Sequence, residues 1–573
     1  MLKCMDIFFN LNAFLIIVLL NNVHSELSAA CPQPFQVIQR DDESSGTIPV
    51  IVKAGSSDRL TAALTKAAND SILQTIDLTH GISGTFKGNF TEIPVGGYYN
   101  IEVRNTTSGE TDKIDSVCVG VLFLAAGQSN SNNRAGETLD TAQRPGFASG
   151  FRDYYYNRWI RLKTRPENDK DCVGGPWVFF TKVLNDSFPH LPVGIISTGQ
   201  GGTSINSWLP AAVSNCYSDM IFKIDKSQSS KFEAIVWVQG ESDSEMGIEE
   251  YNTKCMRMVK SIRDTLKQPD LPFFYSQIGI DCASPHIREA QRRFLTLDSN
   301  SYLVGTAVDF ARGCHYPEFG YKILGARFAC MMLKEVFKRP LNAGPPMPVE
   351  VAWEGSGRNK IRVRYSIPSG TGLQTGDNVS DYKGYTARTQ DEFDKMIWDA
   401  GIKVNSAYVD EHDSSCIILE TRTFDLEDSV YVGYGDASEY VHKIRDQSTM
   451  AGGPNAALCF QNWMVGASEP VQTREAIAMP SSNNDLFYIF PNPFADNVSL
   501  SLTGKMIPGK AYKVSVYNTR GKLVWTQSSA NKTISHLWDG KNNLGKTAGP
   551  GIYLFQITSG TKTFLNQKII KIR

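Results

Sequence analysis

Apolar and polar residues follow different rhythms in successive stretches of the chain. In residues 31–116 apolar positions recur at every second residue in short runs, as at 47–52 and 98–103, separated by Gly, Asn and Ser clusters. A period of two sets one strand face in a core and the other in water, so this stretch predicts a small β-sandwich. From 117 to 338 the rhythm changes: unbroken apolar runs at 117–126, Val193–Ser197, Ala234–Val238 and 302–308 alternate with helix-length segments, the last of them amphipathic over 321–337. Strands buried on both faces lose the alternation, and the pattern predicts an α/β domain with a parallel sheet and crossover helices. Pro340, Pro345, Pro346 and Pro348 interrupt any helix, and alternation returns over 349–465, as at 360–365 and Val430–Tyr434, predicting a second β-sandwich-like domain. Polar residues at 479–485 have linker composition and lead into a last β-rich unit, 486–573.

The N-terminus does not share this patterning. Lys3, an apolar run at 13–20 and Val23-His24-Ser25 have the layout of a secretory signal peptide over residues 1–25. The run is far shorter than the ~20 apolar residues that span a bilayer, so an exported protein without a membrane span after signal removal is expected. With 58 Lys and Arg against 59 Asp and Glu, no basic surplus exists to neutralise a nucleic-acid backbone, which removes nucleic acid as a partner. Eleven cysteines become ten once Cys4 leaves with the signal, an even number in a compartment where disulfides persist. They are widely dispersed without a CxxC pair or a His/Cys cluster, so neither a structural metal nor a cofactor is expected.

The candidate chemistry gathers in the α/β stretch. The run at 117–126 ends in Gly127-Gln128-Ser129-Asn130, which places a serine on a tight turn at the carboxyl end of a strand, the edge where open α/β sheets bind ligands. A serine there presents a hydroxyl nucleophile together with its own backbone N–H. Val193–Ser197 opens into Thr198-Gly199-Gln200-Gly201-Gly202-Thr203-Ser204, where glycines leave backbone N–H groups accessible, and Ala234–Val238 closes with Gln239-Gly240-Glu241-Ser242-Asp243. A nucleophilic serine needs a base. Of the eight histidines, His315 has the right setting, on the loop between the last strand and the last helix of this stretch.

These four blocks, Gly-Gln-Ser-Asn at 127–130, Gly-Gly-Thr-Ser-Ile at 201–205 with Trp208, Trp-Val-Gln-Gly-Glu-Ser-Asp at 237–243, and Cys-His-Tyr-Pro around His315, resemble the sialate O-acetylesterase family of the SGNH/GDSL hydrolases. Val95-Gly96-Gly97-Tyr98-Tyr99 resembles the flanking domain of the same family. The resemblance implies an SGNH-hydrolase (flavodoxin-like) three-layer parallel sheet flanked by β-sandwich domains. It also implies Ser129 as nucleophile, His315 as general base, and the Ser129 amide, the Gly202 amide and the Gln239 side chain as oxyanion donors. Many such enzymes carry an Asp three residues before the histidine, where this chain has Arg312. Glu241, Asp309 and a backbone carbonyl near Arg312 are the candidates to orient the imidazole, with Glu241 placed first. Asn206 and Trp208 are candidates to touch a sugar, the alternative for Trp208 being a place in the core.

At the other end, Phe490-Pro491-Asn492-Pro493-Phe494, Val514-Ser515-Val516-Tyr517-Asn518 with Gly521-Lys522, Trp538-Asp539-Gly540-Lys541, Gly551-Ile552-Tyr553 and the basic end at 568–573 resemble the type IX secretion C-terminal sorting domain of Bacteroidetes. That resemblance implies passage through the periplasm, secretion or cell-surface attachment, and the type IX machinery as a partner. The expected function is a secreted serine esterase that removes O-acetyl groups from sialic acid or other acetylated glycans through an acetyl-enzyme. The competing class is a non-catalytic surface glycan-binding or adhesion protein, which has no chemical need for Ser129 and His315 together.

Overall fold

One long strand, β1 (Thr111–Gly127), organises the larger part of the molecule. Its first half pairs antiparallel with the N-terminal strand Gly96–Asn105, with Ile101 opposite Ile114. Its second half lies parallel between β4 (Val193–Ser197) and β5 (Ala234–Val238). Position 116/117, where the sequence changes texture, therefore falls inside a continuous strand shared by two regions. The burial along it shows why the texture changes there. Of residues 111–116 Ile114 alone is buried, whereas every residue from Val117 to Gly127 is buried, so polar residues are excluded only from the second half.

The computed structural model describes residues 27–55, 58–132, 148–152, 158–162, 175–210, 216–279, 285–311, 313–375, 384–394, 403–435, 444–451, 454–466, 487–490, 499–502, 511–518, 522–530, 538–549, 551–559 and 562–571. The expected signal peptide at 1–25, the polar stretch 479–485, the motif at 491–494 and Arg312 lie outside the described residues. The chain divides into two compact units, Met1–Val471 and Gln472–Arg573.

The larger unit is a mixed α/β structure. With β2 (Ala148–Arg152), β3 (Arg158–Arg161), β6 (Phe273–Gln277) and β7 (Ser301–Thr306), the strands of the central sheet run in the order β3-β2-β4-β1-β5-β6-β7. All are parallel except β3, which pairs antiparallel with β2. Alternate residues of β1 face opposite ways. Val121, Phe123 and Ala125 join a core with α1 (Trp177–Ser187) and α5 (Glu318–Glu335). Leu122, Leu124 and Ala126 join another with α2 (Cys216–Lys226), α3 (Ile248–Leu266) and α4 (Pro285–Phe294). Each large side chain buried in these cores contributes about 1.5–3 kcal/mol relative to exposure, which outweighs any local preference of the short strands.

The N-terminal strands form two facing layers. Ser45–Lys53 and Thr85–Pro94 pair in one sheet, and Leu60–Lys66 pairs with Gly96–Asn105 in the other. The strictly alternating burial of Ser45–Lys53 sends Ile48, Val50 and Val52 inward to meet Leu60, Ala62, Leu64, Ile101 and Val103.

The β region after α5 contains a four-stranded, a three-stranded and a two-stranded sheet around their own core. It is joined to the central sheet by buried polar bonds. Arg288 donates to the carbonyls of Gly279 and Gly435 at 2.8 and 2.7 Å. Gln277 donates to the Cys459 carbonyl at 2.9 Å and accepts from its N–H at 3.0 Å. Glu289 accepts from the Gln461 N–H at 3.2 Å.

The C-terminal unit has a sheet in the order Leu523–Ala530, Ala511–Asn518, Gly551–Ser559, Lys562–Lys571, antiparallel throughout, and a hairpin of Phe487–Phe490 with Ser499–Leu502. Trp538 is buried against Tyr553, with ring centroids 5.1 Å apart. Among the described residues of the chain, no helix is long and apolar enough to cross a membrane.

Candidate functional site

Three loops leave the carboxyl ends of β1, β4 and β5, and their backbones lace together. Gln128 N–H donates to the Val238 carbonyl and Gln200 N–H to the Gly127 carbonyl, each at 2.9 Å. Gly127 sits at the crossing with φ +127°, and a Cβ there would meet the Val238 oxygen at 2.1 Å, so only glycine allows β1 and β5 to approach this closely. Gln128 reinforces the contact: its Oε1 accepts from the N–H groups of Gly240 and Ser242 at 3.3 and 3.2 Å.

Ser129 begins the 3-10 turn Ser129–Ser131 and is 6% exposed. As the first residue of that turn it has no partner for its N–H within it. Gly202 lies exposed on the next loop with φ +72°, and a Cβ there would meet nothing within 4 Å. Among the described residues neither N–H donates a hydrogen bond, so two backbone donors are available at this edge.

Gln239 is placed differently from the sequence expectation of an oxyanion donor. It is fully buried, and both N–H bonds of its amide are in use, one to the Thr203 carbonyl at 3.1 Å and one to Asp243. Its Oε1 accepts from Tyr251 at 3.0 Å. Having no donor left over, the amide braces the glycine loop from below. Asp243 completes the brace by accepting from the Ile205 N–H, at 2.9 Å from Oδ2. Burial raises the Asp243 carboxyl above its ordinary range, against the hydrogen bond from Gln239. Trp208 belongs to the core: it is buried, stands edge-on to Trp237 at 5.1 Å, and donates to Thr203 Oγ1 at 3.2 Å. Asn206 on the same loop is exposed.

His315 is exposed on the loop from β7 to α5. Cys314 before it is disulfide-bonded. The seven other described cysteines, at 31, 118, 216, 255, 330, 416 and 459, are buried thiols. Burial pushes the Cys31 thiol up to about 12 and that of Cys330 to about 11, which leaves both protonated and inert.

The serine turn and the backbone on either side of His315 are joined through Asn130. Its Nδ2 donates to the Cys314 carbonyl at 2.9 Å and to Glu241 Oε1 at 2.7 Å. Its Oδ1 accepts from the Tyr316 N–H at 3.3 Å and the Tyr321 hydroxyl at 2.9 Å. Every hydrogen-bonding position of this amide is filled.

Both carboxylates that the sequence nominates to orient His315 have partners of their own. Glu241 Oε1 accepts from Asn130 and from the Tyr316 hydroxyl at 3.1 Å, while Oε2 is buried without a partner among the described residues. Burial raises this carboxyl above its ordinary range despite the bonds it accepts. Asp309 pairs with the buried Arg327 at 2.7 and 3.0 Å, and Arg327 also donates to the carbonyls of Thr306 and Pro454. The sequence reading missed Asn130 as a connector and Tyr316 altogether. Asn130 was visible as part of the serine motif, but nothing in a sequence announces which loop an amide will bond. Among the described residues no group of three or more His, Cys, Asp or Glu is arranged to hold a metal ion.

The α/β sheet carries a serine turn, a glycine loop and a histidine loop at one edge, and comparison with known proteins points to a family. Residues 119–334 match the family described as carbohydrate esterase, sialic acid-specific acetylesterase, and residues 488–572 match the secretion system C-terminal sorting domain. No curated protein matches the chain in sequence. Among solved structures, a carbohydrate acetylesterase from Xanthomonas citri is similar over 75% of this chain and 99% of its own, with a TM-score of 0.57 and 18% identity. A protein from Arabidopsis thaliana matches over 38% of this chain and 99% of its own, with a TM-score of 0.33 and 22% identity. The chain thus carries an acetylesterase-family domain followed by a type IX sorting domain, which marks it as a secreted or cell-surface protein.

Proposed function

We propose that the protein is a secreted serine esterase that removes O-acetyl groups from sialic acid or a related acetylated glycan through an acetyl-enzyme. The observation that carries the reading is the convergence of Ser129, the N–H groups of Ser129 and Gly202, which have no acceptor among the described residues, and the His315 loop at one sheet edge, tied together by Asn130. The order β4-β1-β5-β6-β7 supports an SGNH, flavodoxin-like fold, in which the first strand is flanked by the second and third and ligands bind where the winding reverses.

In this mechanism Ser129 Oγ attacks the acetyl carbonyl while His315 takes its proton. The oxyanion forms between the N–H groups of Ser129 and Gly202, where fixed donors stabilise developing charge without reorganisation. On collapse His315 returns the proton to the departing sugar oxygen. Water, deprotonated by the same imidazole, then releases acetate and restores the serine. Glu241 serves from behind the loop, as a buried acceptor rather than as a partner of the ring, and Asp309 serves Arg327. The type IX machinery exports the enzyme to the acetylated glycans on which it acts.

Acetate release is measured on O-acetylated sialic acid, acetylxylan and a small chromogenic acetate, with the wild type beside Ser129→Ala. The expected result is activity on at least one sugar ester that falls by several orders of magnitude in a folded Ser129→Ala protein. Equal release by the two proteins overturns the mechanism. Glycan binding without acetate release by the wild type favours a surface glycan-binding protein.

A further inference from the structure

Beside His315 stands a residue that the chemistry above leaves unused. Tyr316 is buried, its ring edge-on to Phe310 at 5.4 Å and tilted against Tyr321 at 5.6 Å. It reaches two different blocks. Its backbone N–H donates to Asn130 Oδ1, on the serine turn, at 3.3 Å, and its hydroxyl donates to Glu241 Oε1, on the loop after β5, at 3.1 Å. Asn130 closes the figure by bonding both Glu241 Oε1 and the carbonyl of Cys314. The residues before and after His315 are therefore held to the residue after Ser129, and the buried Glu241 carboxyl is the common anchor.

We infer that Tyr316 is a positioning residue for the esterase reaction, its hydroxyl on Glu241 setting where the His315 backbone stands relative to Ser129. This rests on the reading of Ser129 and His315 as nucleophile and base. The physical argument is one of geometry. A base on a loop is placed by the backbone that carries it, and proton transfer from the serine falls steeply with misplacement, about 100-fold for 1 Å. Burial raises the carboxyl of Glu241 and the phenol of Tyr316 alike, which keeps the phenol a donor. Glu241 needs no bond to the imidazole to matter: by holding Tyr316 and Asn130 it holds the loop.

The test is Tyr316→Phe, which keeps the ring between Phe310 and Tyr321 and deletes only the hydroxyl. Three quantities are read: kcat and KM for acetate release from the preferred ester, the rate at which a small fluorophosphonate labels Ser129, and the melting temperature. We expect kcat and the labelling rate to fall together by about 10- to 100-fold, with KM within twofold of wild type and the fold retained. A kcat and labelling rate within twofold of wild type overturn the inference. So does a loss of kcat that accompanies a matching rise in KM, or that labelling does not share, because a merely structural defect produces those patterns. Asn130→Asp probes the clamp from the other side. It replaces the donor to Glu241 and Cys314 with an oxygen, and should lower kcat and labelling at least as far as Tyr316→Phe. Unchanged labelling in folded Asn130→Asp likewise counts against the clamp. If the wild type itself neither labels at Ser129 nor releases acetate, the esterase reading has failed and the positioning role fails with it. An active, labelled wild type beside an indifferent Tyr316→Phe rejects the positioning role alone.

Discussion

Two β-rich regions follow the central sheet, and their sequences look alike: short alternating strands, turn residues, few long apolar runs. Their physical relations differ. The region of residues 347–466 lies in the same compact unit as the sheet and supplies backbone partners to buried side chains there, Gly435 to Arg288, Cys459 to Gln277, Gln461 to Glu289 and Pro454 to Arg327. Residues 487–571 belong to a separate unit with its own sheet and its own buried Trp538. Apolar alternation tells that a strand has a buried face and says nothing about whose core receives it. A buried guanidinium or amide is more telling, because it must find an acceptor wherever the chain supplies one.

The comparison breaks most visibly under truncation. Ending the chain before Met347 takes the carbonyls of Gly435, Cys459 and Pro454 from Arg288, Gln277 and Arg327 at once, and the expected outcome is loss of soluble, folded enzyme, seen by expression and circular dichroism. A cooperative native melt from that truncation would show the junction to be dispensable.

Single residues at the junction sharpen it. Asp309 is the counter-charge of Arg327, whose side chain is 1% exposed, so Asp309→Ala leaves a buried cation unpaired and should cost about 3 kcal/mol in urea unfolding. The sequence candidate for orienting His315 thus predicts a stability defect first.

Acid should act at the same junction. Burial alone raises the Glu289 carboxyl, but the Arg292 and Arg293 guanidiniums outweigh it and hold the group below its ordinary range. A carboxylate depressed in the folded state contributes stability above its unfolded pKa and loses it as pH falls through the folded value. The melting temperature of the larger unit should therefore decline as pH drops below about 4.3, the ordinary Glu value. Glu289→Gln should lower stability at neutral pH and flatten that decline, which melts between pH 3 and 7 would measure.

The smallest effect is expected from removing the last unit. A chain ending after Pro480 should keep esterase kinetics and the melting temperature of the larger unit nearly unchanged, while in a host with type IX secretion it should remain in the periplasm. Cell fractionation checks the second half, and normal export of the shortened chain would reassign the unit to an ordinary β module.

Much of this architecture was legible along the chain. Val193–Ser197 and Ala234–Val238 are strands with the boundaries their apolar runs suggest, and the alternation at 47–52 and 360–365 lies inside Ser45–Lys53 and Lys360–Ser366. These elements are readable because burial on one face or two leaves a local signature at every residue. The motif glycines were readable for a similar reason, since the approach of Gly127 to Val238 leaves no room for a Cβ and the positive φ of Gly202 favours glycine at that one position.

What the tertiary structure decided is the set of partners. Gln239, which the sequence offers to an oxyanion, spends both its N–H bonds on Thr203 and Asp243. Glu241, offered to the imidazole, accepts instead from Asn130 and Tyr316, and Asp309 turns to Arg327. Trp208 goes under the glycine loop, against Trp237. The strand shared across 116/117 and the attachment of residues 347–466 to the central sheet belong to the same class of outcome. The reason is physical. Hydrophobic burial is recorded locally, as a period, whereas a hydrogen bond of a buried amide or carboxyl is directional and links residues such as Asn130 and Tyr316 that lie 186 positions apart, so it exists only once the loops have been brought to one edge.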